Sequence, residues 1–383
     1  MQHEPVGGRI LTKPVIVCAA LFLIGITILC YRFVYGLGAV IAVNDGYPWG
    51  IWIVVDVMIG SAFGCAGYAV AVLVYMINRN EYHPLVRPAL MASLFGYGLA
   101  AIGVFVDLGR WWQFYSLFVP WRWNFTSVML ETGLCISGYF MIMMIEFAPT
   151  FLEKFGLHDV RKKLDKWLFV VIALGVLLPT MHQSSLGSIL IILGHKLSPL
   201  WQTQMLPLLY LMSAVLMGFG IVVFDAVLSA HGFRRPLEMF ILQRLAGVMV
   251  WLLSAFLIIR VVDLTARDAW PHAFNGTVMA FSFWMEMVLM ALPLLFLGPR
   301  MNRIMPQSLF SGAVVLLLGG ILYRLNSYMI GYTPAVGNWH YFPTTAEILV
   351  TLGMFAAEVG LTIVFIKWLP VLLRPNLHLP KRS

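Results

Sequence analysis

Apolar windows of about 20 residues, the length that crosses a bilayer as a helix, recur ten times along this chain. They cover 15–36, 50–77, 88–108, 126–148, 167–190, 205–228, 243–264, 274–297, 307–329 and 346–369. Within them apolar residues run on without the strict alternation of a barrel strand, so helices are expected and a β-barrel is not. The pattern predicts an all-α polytopic membrane protein whose 383 residues form a single integral membrane domain. Composition agrees: 61% of residues are hydrophobic and 11% charged, whereas soluble domains carry roughly a quarter charged residues. A soluble globule is excluded. The apolar run after Lys13 extends to about Tyr31 without a small-residue cleavage site, so it is expected to be a retained span, not a signal peptide.

Ten spans put both termini on one side, and that side collects 18 of the 25 basic residues. The opposite loops hold Arg110, Arg122, Lys196 and Arg267, with Arg32, Arg260 and Arg324 near span ends on the same side. The excess of positive charge on cytoplasmic loops then predicts cytoplasmic termini in a bacterial inner membrane. It also explains the basic pI without nucleic acid, because the charges are dispersed over short segments and form no stripe. The loops 37–49, 109–125, 191–204, 265–273 and 330–345 are rich in Trp, Tyr, Phe and Pro. Two readings stay open for them, an interfacial aromatic belt and a docking surface for a partner.

An internal echo organises the spans. VDLGRWW at Val106–Trp112 returns as VDLTARDAW at Val262–Trp270, and NFTSVMLE ending at Glu131 returns as NGTVMAFSFWME ending at Glu286. The separation corresponds to four spans, which predicts two parallel-repeat four-helix bundles, 50–190 and 205–329, flanked by the first and last spans. The first bundle is expected to hold the functional site. Small residues in GSAFGCAG (Gly60–Gly67) and GYGLAAIG (Gly96–Gly103) allow close helix packing there.

Polar residues inside these windows carry the chemistry, because a polar group in hydrocarbon is costly without a partner or a function. LPTMHQSSLGS, Leu178–Ser188, places Pro179, His182, Gln183, Ser184 and Ser185 in the fifth span. Counting about 1.5 Å per residue puts Asp56, Glu131 and His182 in one layer, roughly 7–12 Å below the periplasmic boundary, with Tyr97 somewhat deeper. Pro179 removes a helix hydrogen bond at the Gly175 carbonyl, which predicts a bend before His182. Asp107 and Arg110 have the spacing of an ion pair at a helix end, structural or a gate, and Arg260 with Asp263 repeats it. Glu146 and Asp225 lie near cytoplasmic ends, either as solvated charges or as the start of a proton route toward Glu131. Glu286 and Glu358 sit mid-membrane and require partners that the sequence leaves unidentified.

Cys18, Cys30, Cys65 and Cys135 form no closely spaced ligand pattern, so neither an iron–sulfur cluster nor another metal site is expected. Of nine histidines only His182 falls inside the membrane windows, which leaves no bis-histidine pair for a haem and predicts a haem-free chain. A quinone remains, since its reduction needs hydrogen-bond donors at the carbonyls and acid or base groups in a desolvated pocket. MHQSSLGS with its preceding LPT, EYHPLVRPALMASLFGYGL at Glu81–Leu99, VDLGR, and PLWQ at Pro199–Gln202 resemble the NrfD/polysulfide-reductase membrane-subunit family. Within it they resemble the HybB-type branch that serves periplasmic uptake nickel–iron hydrogenases.

The resemblance implies a haem-free quinone-binding subunit that works with a periplasmic ferredoxin-like iron–sulfur subunit and the hydrogenase large and small subunits, and has no hydrogenase activity of its own. On that reading His182, Glu131 and Asp56 act on menaquinone, while Tyr97, Ser185, Asp107 and Arg110 shape its site. Protons then arrive from the cytoplasm through Asp225 and Glu146. Alternatives within and outside the family are the membrane subunit of a molybdopterin oxidoreductase, a secondary transporter, and a structural anchor.

Overall fold

A computed structural model describes residues 3–47, 49–334 and 339–373. Arg374, His378, Lys381 and Arg382, counted above with the cytoplasmic side or the tails, lie outside the described residues. Among the described residues, ten helices are long and apolar enough to cross a membrane: Lys13–Tyr35, Ile53–Met76, Asn80–Asp107, Val128–Lys154, Leu168–Lys196, Leu206–Gly232, Met239–Ala266, Val278–Leu297, Pro306–Ile330 and Thr345–Trp368. They are called spans one to ten. Three of the starts follow capping chemistry: the Ser127, Thr277 and Thr344 side chains accept from Leu130 N, Ala280 N and Glu347 N, satisfying amides that a first turn leaves unpaired.

Span one lies along span ten, and span ten also touches span three. Spans two to five pack in sequence, with span two closing against span five, and spans six to nine pack in sequence, with span nine closing against span six. Span six joins the groups by packing on spans two and five. Span two is irregular. Its Ile53–Ile59 and Val72–Met76 turns are π-helical, and a break falls at Gly64–Cys65. Span nine ends in another π turn at Asn326–Ile330. Such wide turns shift the face on which later side chains emerge and recur at functional sites.

On the side of the termini, His3–Glu4 pairs antiparallel with Leu372–Leu373. Arg235 braces this pairing by donating to Leu373 O at 2.8 Å and Glu4 at 3.3 Å. Burial, with Arg87 nearby, pushes the His3 imidazole down to about 4. On the other side Glu347 accepts from Tyr341 Oη at 2.6 Å and from Ala42 N at 3.1 Å, tying two loops to the start of span ten.

Three arginines sit near span ends as expected, but they do not face outward. Arg32, Arg260 and Arg324 are all fully buried. A hydropathy window locates a residue along the membrane normal but not around the helix, and each of these guanidinium groups turns inward to protein acceptors.

Candidate functional site

Span five supplies the first wall. Its helix runs continuously from Leu168 to Leu193 with Pro179 inside. Because proline has no N–H, the Gly175 carbonyl four residues earlier is released from the helix ladder. Gly175 is also where Glu146 of span four comes close: a Cβ there would meet Glu146 Oε1, so the carboxylate would have to swing aside.

His182 is completely buried, and neither Nδ1 nor Nε2 has a hydrogen-bond partner among the described residues. Its ring stands edge-on to Tyr97 with centroids 5.5 Å apart, and Tyr97 stacks edge-on with Tyr139 at 4.3 Å. Tyr139 lies seven residues before Glu146, on the same helix face. The neighbouring Gln183 donates to Ser61 Oγ of span two at 3.0 Å and reaches Tyr97 Oη at 3.5 Å.

Arg324 of span nine organises the far side. Its Nη2 donates to Gln183 Oε1 at 3.0 Å, Ser213 Oγ at 3.1 Å and Tyr210 O at 3.2 Å, and its Nη1 to Met58 O at 2.6 Å. The Tyr210 ring lies 4.8 Å from the guanidinium carbon, adding a cation–π contact. Both terminal nitrogens of the buried guanidinium are thus supplied with acceptors, while its Nε has none among the described residues. No carboxylate pairs with it among the described residues, so a net positive charge faces the His182–Tyr97 core. Fixed positive charge in a dry site stabilises negative charge that develops nearby. The sequence reading missed Arg324, although an arginine inside an apolar window was the available signal.

Ser185 follows His182 by one helical turn and so shares its face. Its hydroxyl donates to Glu131 Oε1 at 2.8 Å, which holds the partly exposed carboxylate of span four beside the His182 turn. Asp56 behaves differently. It is 2% exposed, Oδ1 has no hydrogen-bond partner among the described residues, and it packs on Gly103 of span three, where a Cβ would come within 2.6 Å of Asp56 Cβ. It lies five residues before Ser61, which is about 7 Å along the helix. Of the three residues assigned to one layer, Glu131 is bonded to Ser185, which lies one turn from His182 on span five. Asp56 instead faces span three.

Asp107 and Arg110 do not pair among the described residues. The helix ends at Asp107, Leu108 is extended, and Arg110 is exposed, so the i,i+3 geometry is lost. The guanidinium interacting with Asp107 is that of Arg32, which donates to Leu108 O. The second unit departs from expectation as well. Arg260 reaches Glu286 at 3.4 Å, whereas Asp263 takes Arg267 at 2.7 Å and Thr203 Oγ1 at 2.5 Å. Arg267 lies one turn further on, and Arg260 points inward. Glu286 also accepts from Trp201 Nε1 at 2.8 Å and Asn326 Nδ2 at 2.7 Å, which identifies the partners that the sequence left open. Asp225 lines a small cavity between spans three, six and ten.

Comparison with known proteins follows from this geometry. Residues 39–333 match the family model described as polysulphide reductase, NrfD. An Escherichia coli K12 protein described as a probable Ni/Fe-hydrogenase 2 b-type cytochrome subunit is 42% identical over 385 residues, covering 99% of this chain and 98% of that protein. The integral membrane subunit of a menaquinone reductase from Nitratidesulfovibrio vulgaris is 27% identical over 158 residues, 40% of this chain and 37% of that one.

The first relative corrects one expectation. A haem-free chain does not stand against a full-length relative described as a b-type cytochrome subunit. As to how a haem would be held, the other described histidines lie at span ends or in loops, and none faces His182. Ligation by a pair of histidines within the membrane therefore does not fit these residues, and no step below is routed through a haem.

Proposed function

Because this chain belongs to the NrfD polysulphide reductase family, we propose that it is the quinone-reactive membrane subunit of a periplasmic nickel–iron hydrogenase complex. Electrons from hydrogen reach it through a periplasmic ferredoxin-like iron–sulfur subunit and reduce menaquinone near the periplasmic face. The hydrogenase and menaquinone reductase relatives support this reading. The observation that carries it is the buried His182 imidazole, whose two nitrogens have no hydrogen-bond partner among the described residues, one turn from the Ser185–Glu131 hydrogen bond. An unpaired buried imidazole costs free energy that a ligand's carbonyl oxygen would recover.

In the mechanism, reduction of a quinone takes two electrons and two protons. His182 binds and orients a quinone carbonyl, Tyr97 holds the imidazole plane, and Glu131 delivers protons beside it. Arg324 supplies the fixed positive charge that favours electron arrival. Protons enter from the cytoplasmic side through Asp225 and Glu146, with both termini cytoplasmic in a bacterial inner membrane. Hydrogen oxidation outside and proton uptake inside then separate charge across the membrane. Residues 50–190 form the quinone-reactive unit and 205–329 its parallel counterpart.

The testing experiment uses the native complex purified with this chain and reconstituted in lipid. Hydrogen-driven reduction of a menaquinone analogue and of a soluble dye are both expected. Dye reduction without quinone reduction would overturn the proposal, and a molybdopterin enzyme in the purified complex would replace the hydrogenase partner. A smaller prediction concerns Ser185→Ala. It removes one hydrogen bond to a charged group, worth about 1.5–3 kcal/mol, and frees the Glu131 carboxylate to wander. Menaquinone turnover is expected to fall by about tenfold, the rate equivalent of 1.4 kcal/mol, with dye reduction unchanged. Full turnover in this variant would show that Ser185 does not position Glu131.

A further inference from the structure

Span ten carries a carboxyl group that the mechanism above leaves unused. Among the described residues, Glu358 is the only ionisable side chain lining a cavity of about 580 Å³ between spans one, three, four and ten, whose other walls are apolar. One turn further along, Thr362 lines the separate cavity of about 40 Å³ that also holds Asp225 and Ser229 of span six. Residues four apart share a helix face, so this side of span ten links the two cavities. Asp225 acts electrostatically on Glu358.

The wall of the larger cavity on span three borders the residue that packs on Asp56. Leu99 and Ile102 of span three form its wall, and the next residue, Gly103, is the one on which Asp56 packs. Glu358 and Asp107 both act electrostatically on Asp56, whose buried Oδ1 has no hydrogen-bond partner among the described residues. Four carboxyl groups therefore follow one another from span six through spans ten and two to span three. This row stands apart from the Glu146–Tyr139–Tyr97 face of spans three and four.

We propose that Glu358 carries protons from Asp225 to Asp56, along the face of span ten that bears Thr362. The proposal rests on the quinone reading above and deepens its proton supply. In each transfer one O–H bond breaks on the donor carboxyl and one forms on the acceptor, with no change of oxidation state, and Asp225 is reprotonated from the cytoplasm. A carboxyl group can take a proton on one oxygen and release it from the other, and side-chain rotation or a bridging water spans the intervals. Asp56 delivers into span two, whose Ser61 touches Gln183 beside His182. Thr362 acts as a positioning residue between Asp225 and Glu358.

The test compares Glu358→Gln, Glu358→Asp, Thr362→Val and His182→Ala in the reconstituted native complex. Loss of a proton carrier is expected to lower kcat for menaquinone reduction by about 10²-fold in Glu358→Gln, at unchanged KM and unchanged dye reduction. Glu358→Asp is expected to retain most of the activity. Wild-type kcat in Glu358→Gln, an equal loss in Glu358→Asp, or a loss confined to KM would overturn the proposal. If Glu358→Gln does not assemble, Thr362→Val decides: reduced kcat at constant KM supports the route, and wild-type kcat overturns it. His182→Ala separates the two layers of the argument. If it loses turnover while Glu358→Gln keeps it, the route falls and the quinone site stands, whereas full turnover in His182→Ala removes the quinone site itself.

Discussion

Replacing Glu131 with Gln is expected to lower hydrogen-driven menaquinone reduction by about 10²–10⁴-fold, the range over which a positioned proton donor acts, while reduction of a soluble dye by the same complex is unchanged. The substitution isolates the proton function. Glutamine has nearly the same volume, and its carbonyl oxygen can still accept from Ser185, which now donates to Glu131 at 2.8 Å. The bridge between spans four and five is therefore kept, and only the transferable proton is lost. The distinguishing measurement is a pair of steady-state assays on one preparation, one with a menaquinone analogue and one with dye. Retained quinone reduction would remove Glu131 from the mechanism, while equal loss in both assays would reassign it to assembly.

The largest effect on stability is expected from Glu286→Ala. Glu286 is 1% exposed and accepts from Trp201, Asn326 and Arg260. Its removal leaves the fully buried Arg260 without a carboxylate and strands two further donors. Breaking one partner of a buried pair costs about 3–5 kcal/mol, so a fall in Tm of about 5 °C is expected. Glu286→Gln, which keeps an acceptor, is expected to lose less. Thermal unfolding of the detergent-solubilised protein checks both variants, and an unchanged midpoint in Glu286→Ala would show that Arg260 finds another partner or water.

Much of this was legible in the chain. Ten apolar windows became ten helices because hydrocarbon forces a chain to satisfy its backbone internally over about 20 residues, a demand that needs no knowledge of neighbours. His182 was legible for the same reason, as a polar group too costly to keep there without a role. The Ser127 and Thr277 caps sit in the echoed NFTSVMLE and NGTVMAFSFWME segments, so the helix starts were also local information.

Neighbour choice was not. Asp107 and Arg110 have the spacing of an ion pair, but the helix stops between them, and Arg32 of another span comes in to donate to Leu108 O. Arg324 looked like a span-end charge and instead lies at the centre of the site, with acceptors from three other spans. Asp56 shared the calculated depth of His182, yet it emerges from a π turn facing Gly103.

The sequence alone determined the membrane class and the number of spans, because burial in a bilayer is a one-dimensional property that hydropathy records. Only the tertiary structure decided that His182 meets Tyr97, that Glu131 takes a hydrogen bond from Ser185 one turn away, and that Arg324 holds Gln183 beside it. Those contacts depend on the rotation of each helix about its own axis, which packing between helices sets and which no single window contains.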